Sequence, residues 1–341
     1  MREIDLKKYK IRTDLITDVV DHKKSKNIEE IIRYVDDIKI SNITLKEDEP
    51  LINRKKGFYT TIFFNDITDN SNEKKVVDIL TEELKEFLSK MNIKENDKIL
   101  IIGLGNSKST PDMLGPKVVE KIIVTSHIKK LVGSLEKGYK EVSVLSPGVM
   151  GTTGIETKDI VLGVVNEIKP DFLIFIDALS SDRLDRVNKT IQITNTGISP
   201  GSGIGNNRKE LSFETLNIPV LAIGVPTVVD AITIVRDTIN YMFLNFSYNI
   251  ANINNPKLKF ITSGSNNYLK EKNKKLDAKQ KEKFLGLVGT LSDDELKKLL
   301  FEVLSPIGYN LMVTPKEIDF IIEKLGKLIS EGINKTLHNL D

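Results

Sequence analysis

Two apolar runs of strand length each deliver a carboxylate at or just beyond their C-terminal end. The first is Lys98-Ile99-Leu100-Ile101-Ile102-Gly103, followed by Leu104-Gly105-Asn106 and Thr110-Pro111-Asp112-Met113-Leu114-Gly115-Pro116. The second is Asp171-Phe172-Leu173-Ile174-Phe175-Ile176-Asp177-Ala178-Leu179. Continuous apolar runs bounded by turn residues mark strands buried on both faces, as in a parallel sheet covered by helices. In such sheets ligands bind beyond the C-terminal ends of the strands. Two carboxylates delivered to one such crevice are the minimum equipment for acid–base hydrolysis.

The rest of the chain supports an α/β class. Val76, Val77, Ile79, Leu80, Leu84, Phe87, Leu88 and Met91 recur at helical spacing. After the Ile99–Ile102 strand, an apolar helix is expected from Gly115 to about Val132. A strand at Val142–Leu145, a helix at Thr157–Ile168 and the Phe172–Ile176 strand follow. Thr190–Thr194 and Val220–Val225 read as further strands. Pro226 suits the first turn of a helix reaching about Phe246. Strands alternating with helices imply a largely parallel sheet. Before this core, Ile38–Leu45 alternates apolar with polar, and Gly57–Phe64 is aromatic and β-branched. Both read as strands forming an added N-terminal layer or edge. Asp293–Leu304 and Pro315–Leu328 read as amphipathic helices. The intervening lysine-rich run, Ser263 to Lys283, reads as a solvated loop. No internal repeat is present.

Several chemistries are excluded. The 341 residues contain no cysteine, so there is no disulfide, thiolate metal site or cysteine nucleophile. Three histidines, His22, His127 and His338, are scattered, which leaves no histidine zinc motif or catalytic triad. Fifty basic and 48 acidic residues leave a net charge of +2, too balanced to predict nucleic-acid or membrane binding. The N-terminus lacks a signal-like apolar core, and Pro219, Gly224, Pro226 and Asp230 interrupt the most apolar stretch. A cytoplasmic protein is expected.

Gly103-Leu104-Gly105-Asn106 invites a dinucleotide reading, but position 108 is lysine where the third glycine belongs. A shaped loop carrying Asp112 fits better. Ser146–Thr157, with Gly148, Met150 and Gly151, reads either as backbone donors for an extended substrate or as a loop capping the next helix. The glycine cluster Asn195–Lys209 has neither a phosphate-loop pattern nor a Gly-x-Ser-x-Gly elbow around Ser202. Arg208 there can meet an acidic substrate side chain or simply face water.

Taken together, these segments resemble the germination protease family of spore-forming bacteria. The matching runs are Gly103–Asn106 with Thr110–Pro116, Ser146–Thr157, Asp177-Ala178-Leu179, Thr196–Lys209, Ile218–Ala231 and Leu311–Ile318. They span most of the chain in family order. The resemblance implies a hydrogenase-maturation-protease-like α/β sandwich, with a mostly parallel sheet flanked by helices. It implies an atypical aspartic endopeptidase that begins the degradation of small acid-soluble spore proteins. The family's catalytic aspartates fall on Asp112 and Asp177. Gly105, Asn106, Gly148, Met150, Gly151, Gly203 and Arg208 are the expected substrate-binding positions. Where the family often has Asp-Thr-Gly-Ile-His-Pro, this chain has Asn195-Thr196-Gly197-Ile198-Ser199-Pro200. Asn195 cannot ionise as a carboxylate, so no pepsin-like reading arises.

The resemblance further implies a zymogen that removes its own propeptide, residues 1–14. Lys10-Ile11-Arg12-Thr13-Asp14-Leu15-Ile16 is similar to the family's cleavage sequence, in which an acid precedes a large apolar residue and then a small one. Cleavage is expected between Asp14 and Leu15, slowed by the bulk of Ile16. Residues 15–341 then form one peptidase domain: a β-rich addition at 15–73, a core at 74–260, a polar lysine-rich loop at 261–290 and C-terminal helices at 291–341. A homotetramer in the forespore or spore core is implied. No metal is required for the chemistry, although calcium for stability is compatible; direct nucleic-acid and membrane partners are not expected. Two alternatives keep other chemistries open: a metal-dependent peptidase of the hydrogenase-maturation type, and a non-catalytic binder of spore proteins.

Overall fold

The computed structural model describes residues 13–20, 27–50, 52–199, 210–252, 276–304 and 311–340. The described residues form two compact units, one within 13–228 and 314–340 and the other within 229–313.

The larger unit is built on one mixed sheet. Its strands are β1 (Ile28–Val35), β2 (Ile38–Leu45), β3 (Gly57–Phe63), β4 (Lys98–Gly103), β5 (Glu141–Leu145), β6 (Phe172–Ser181), β7 (Thr190–Thr194) and β8 (Val220–Asp230). Their spatial order is β1-β2-β3-β7-β8-β6-β4-β5. The β5–β4–β6 part is parallel, with Ile101 facing Val144 and Ile174. The β1–β2–β3–β7–β8 part is antiparallel. The N-terminal strands therefore extend the same sheet as an edge. The fold class is α/β, as the strand–helix alternation requires.

Helices cover both faces. They are α1 (Ile16–Val20), α2 (Asn70–Lys90), α3 (Leu114–Val119), α4 (Ser126–Val132), α5 (Met150–Thr153), α6 (Thr157–Ile168) and α7 (Phe213–Leu216). In the smaller unit lie α8 (Ala231–Asn252), α9 (Ala278–Leu285) and α10 (Asp293–Leu304); α11 (Ile318–Leu337) returns to the larger one. Side chains alternate across each strand. Phe172, Ile174 and Ile176 of β6 join Ile99, Ile101, Ile191, Ile193 and Ile223 in a core covered by α2, α3 and α11. Leu173 and Phe175 face the other way, onto Val161 and Val165 of α6. Asp177 has the parity of Leu173 and Phe175, so its side chain leaves on the α6 face. Gly332 marks the close approach of α11 to α2: a Cβ there would meet Leu80 at 2.8 Å.

The structure departs from the sequence reading in several elements. The expected helix from Gly115 to Val132 is two helices, α3 and α4. The β-branched run Ile122-Ile123-Val124-Thr125 disfavours continuation. Asn334 takes the Ile123 N–H instead, and the Val142 carbonyl takes that of Thr125. β6 runs on to Ser181, which places Asp177 inside the strand. Pro226 lies inside β8 rather than starting a helix. The register with β7 ends at Gly224, so a proline two residues on interrupts no ladder bond there. Its carbonyl accepts from the Asn188 N–H at 2.7 Å. The lysine-rich stretch contains a helix, α9, started by a capping box between Asp277 and Gln280. In the smaller unit β9 (Met312–Val313) pairs antiparallel with Val229 and Asp230. Among the described residues no helix is long and apolar enough to cross a membrane.

Candidate active site at the ends of β4 and β6

β4 and β6 are parallel neighbours, and their register ends at Gly103 opposite Ile176. The next N–H, that of Leu104, donates to the Ile176 carbonyl at 2.8 Å. Asp177 follows directly on β6. The chain beyond β4 turns sharply at Gly105, whose φ of +118° lies where side-chain-bearing residues rarely go. It then forms a short 3-10 turn over Thr110–Asp112 that packs beside β6 and α11. Thus the Asp112 turn follows the end of β4, while Asp177 sits within β6, one residue past the point where β4 stops pairing with it.

Asp112 is pinned by its own loop. The Asn106 N–H is shared between the Asp112 carboxylate, at 2.9 Å, and the Asp112 carbonyl, at 3.1 Å. Pro111 fixes the entry to the turn, and its carbonyl accepts from the Thr227 hydroxyl of β8 at 2.7 Å. Asp112 remains half-buried, whereas Asp177 is 5% exposed. The Asp177 carboxylate accepts from the Ala178 N–H at 2.9 Å. One acid is therefore open toward solvent and the other is enclosed, an asymmetry that separates the two environments.

Gly105 and Asn106 belong to the Asp112 loop. Gly148, Met150 and Gly151 follow β5, beside β4 at the same end of the parallel strands. Met150 and Gly151 are exposed, and Gly148 (φ +73°) lets the loop fold back so that the Thr157 hydroxyl reaches its carbonyl. Gly203 and Arg208 lie outside the described residues, as do residues 1–12 of the expected propeptide. Asn195 has a structural bond: its side-chain oxygen accepts from the Phe58 N–H at 2.8 Å. Among the described residues no cluster of three or more His, Asp or Glu is arranged to hold a metal ion.

The expected cleavage point docks on this sheet. The Asp14 N–H donates to the Ser180 carbonyl at 3.1 Å. In return the Ser180 N–H and hydroxyl donate to the Asp14 carboxylate at 2.9 and 3.1 Å. Leu15 and Ile16 have no exposed surface. Just beyond, Asp18 is buried in an ion pair with Arg186 and also accepts from the Ser181 hydroxyl and the Asp182 N–H. The Thr13 hydroxyl bonds to Asp18 as well. No local motif in the sequence marks Ser180 or Arg186 as contacts of this segment.

Residues 11–340 match the family model described as germination protease. The chain is 44% identical to the germination protease of Geobacillus sp. (strain WCH70), over 99% of this chain and 96% of that one. It is 45% identical to the germination protease of Bacillus subtilis (strain 168), over 98% and 95% of the two chains. A solved [NiFe] hydrogenase maturation protease from Thermococcus kodakarensis is 21% identical over 42% of this chain and 80% of that one, with a TM-score of 0.28. That likeness is too slight to bear on the fold.

Proposed function

The chain belongs to the germination protease family and is a peptidase, and we propose that it is an endopeptidase opening the degradation of small acid-soluble spore proteins. Asp112 and Asp177 work as a pair across a bound water. Close carboxylates resist double ionisation, so one is held protonated. The ionised acid draws a proton from the water, whose oxygen attacks the peptide carbonyl carbon. The protonated acid polarises the carbonyl oxygen and then supplies the proton to the leaving amine. Glycine-loop N–H groups near Gly105, Asn106, Gly148 and Gly151 hold the substrate extended.

One observation supports this reading above the others: the turn bearing Asp112 packs beside the strand bearing Asp177, at the C-terminal end of the parallel strands. The chain is made as a zymogen that cuts itself between Asp14 and Leu15, works as a homotetramer in the spore core, and needs no metal for the chemistry, with calcium confined to stability. The test is cleavage of a small acid-soluble spore protein by wild type, Asp112→Asn and Asp177→Asn, with the fragments mapped by mass spectrometry. Each substitution should slow cleavage by roughly 100-fold or more. Near-normal turnover by either variant sinks the pair.

A further inference from the structure

Several of the hydrogen bonds that hold the N-terminal segment fall on the residues around the Asp14–Leu15 link. Gln192, in the middle of β7, uses both ends of its carboxamide there. Its Nε2 donates to the Asp14 carbonyl at 3.1 Å, and its Oε1 accepts from the Ile16 N–H at 2.7 Å. The first bond is to the carbonyl of the Asp14–Leu15 link, and the second is to the amide immediately after it. On the acid side, Ser180 holds the Asp14 carboxylate through its N–H and its hydroxyl. Gln192 is 7% exposed and Ser180 2%, so water does not compete for these bonds.

Position 192 lies on a strand face that could have been apolar. Ile191 and Ile193 enter the core under α2 and α11, which turns Gln192 to the opposite face, the one that carries Asp177. On that face the neighbouring Thr61 and Thr190 hydroxyls are buried without a protein partner. A buried carboxamide is costly unless both its donor and its acceptor are matched. Here the match is made by the two main-chain groups that flank Leu15, the Asp14 carbonyl and the Ile16 N–H.

We propose that Gln192 and Ser180 are positioning residues for self-cleavage, clamping the Asp14–Leu15 link in register for hydrolysis. This rests on the reading that the chain cuts itself at that link. In the reaction, water's hydroxyl adds to the Asp14 carbonyl carbon, the C–N bond breaks, and a proton ends on the Leu15 nitrogen. Negative charge develops on the Asp14 carbonyl oxygen as water adds. The Nε2–H of Gln192 already points at that oxygen, so its bond strengthens toward the transition state. Ser180 selects the acid before the link, and the Ile16 contact fixes the residues after it.

The test follows self-cleavage of the full chain by intact mass, with Asp177→Asn as the uncleaved baseline. Gln192→Met removes both bonds, and Gln192→Glu keeps the acceptor but loses the donor. Both should slow appearance of the product beginning at Leu15 by tenfold or more, and by more than Glu73→Gln, which lowers the melting temperature away from the link. Ser180→Ala, a smaller change that keeps the N–H donor, should slow it severalfold. In Gln192→Glu the deficit relative to wild type should shrink as pH falls, because protonation of the introduced carboxyl restores a donor. Wild-type rates in both Gln192 variants would overturn the clamp while leaving the cut site standing. Slowing that follows loss of melting temperature, with no recovery at low pH, would also overturn it. A wild-type product beginning anywhere other than Leu15 would overturn the cut site itself, and the clamp with it.

Discussion

A Cβ built on Gly105 would lie 2.0 Å from the carbonyl oxygen of Asp112. The glycine is therefore the condition for the Asp112 turn to fold back onto the end of β4. Gly105→Ala meets both this overlap and a φ of +118°, which together displace the turn. Strain at such a backbone position costs on the order of 1–3 kcal/mol. If Asp112 reacts as proposed, substrate cleavage should fall by about 100-fold, since small misplacements of a reacting group are expensive. The sheet does not depend on the turn, so the melting temperature should drop only by a few degrees. Full activity in Gly105→Ala would show that the position of Asp112 is not critical.

Asp18 and Arg186 form an ion pair in which both side chains are almost wholly buried. Thr17 adds a bond to the guanidinium at 2.6 Å, and Ser181 adds one to the carboxylate at 3.0 Å. Removing one member leaves the other charged and buried. Asp18→Asn and Arg186→Met should each destabilise by about 3–5 kcal/mol. The double variant should lose clearly less than the sum. Denaturant unfolding of all four chains supplies the cycle, and additive losses would show that the two charges are not coupled.

Glu73 on α2 is clasped by Lys324 and Lys327 of α11, at 2.8 and 3.2 Å. Burial pushes its carboxyl upward, but the two lysines outweigh burial and hold it below the usual 4.5. A carboxyl whose folded value is depressed adds stability above its unfolded value and loses it as pH falls through the folded one. The α2–α11 contact should therefore weaken in acid, from about pH 4.5 downward. Glu73→Gln should lower the melting temperature at neutral pH and flatten its decline in acid. An unchanged acid limb would remove Glu73 from the account.

His338 closes α11 with its ring buried, Nε2 lying 3.0 Å from the Ile123 carbonyl oxygen. Burial lowers its value below the usual 6.5, and the Ile123 bond only partly offsets that. The folded state thus favours the neutral ring. The stability this contributes is complete above about pH 6.5 and declines as pH falls toward the folded value. Ring signals followed by NMR should titrate below the unfolded range. Titration at or above it would mean the ring is not enclosed as described.

How much of this was legible depended on how local the cause is. The helix at Thr157–Ile168 and the strand at Thr190–Thr194 have the bounds that periodicity predicts, because each buries a face against a continuous core. Asp112 and Asp177 stood out as acids beside apolar strands, but that β6 runs four residues past Asp177, to Ser181, was not legible. Elements whose limits depend on distant partners were not legible. Nothing near Val124 reports that Asn334 takes the Ile123 N–H, 211 positions away. Nothing near Pro226 reports where β7 stops pairing.

Residue order alone determined the α/β class and the alternation of strands with helices, since the period of each element is a property of that element itself. Tertiary structure alone decided what surrounds the Asp14–Leu15 link. Ser180 and Gln192 reach Asp14 across 166 and 178 positions. Hydrogen bonds between residues so far apart leave no periodicity or spacing in the chain. They exist only once sheet order and register have brought β6 and β7 to the same segment.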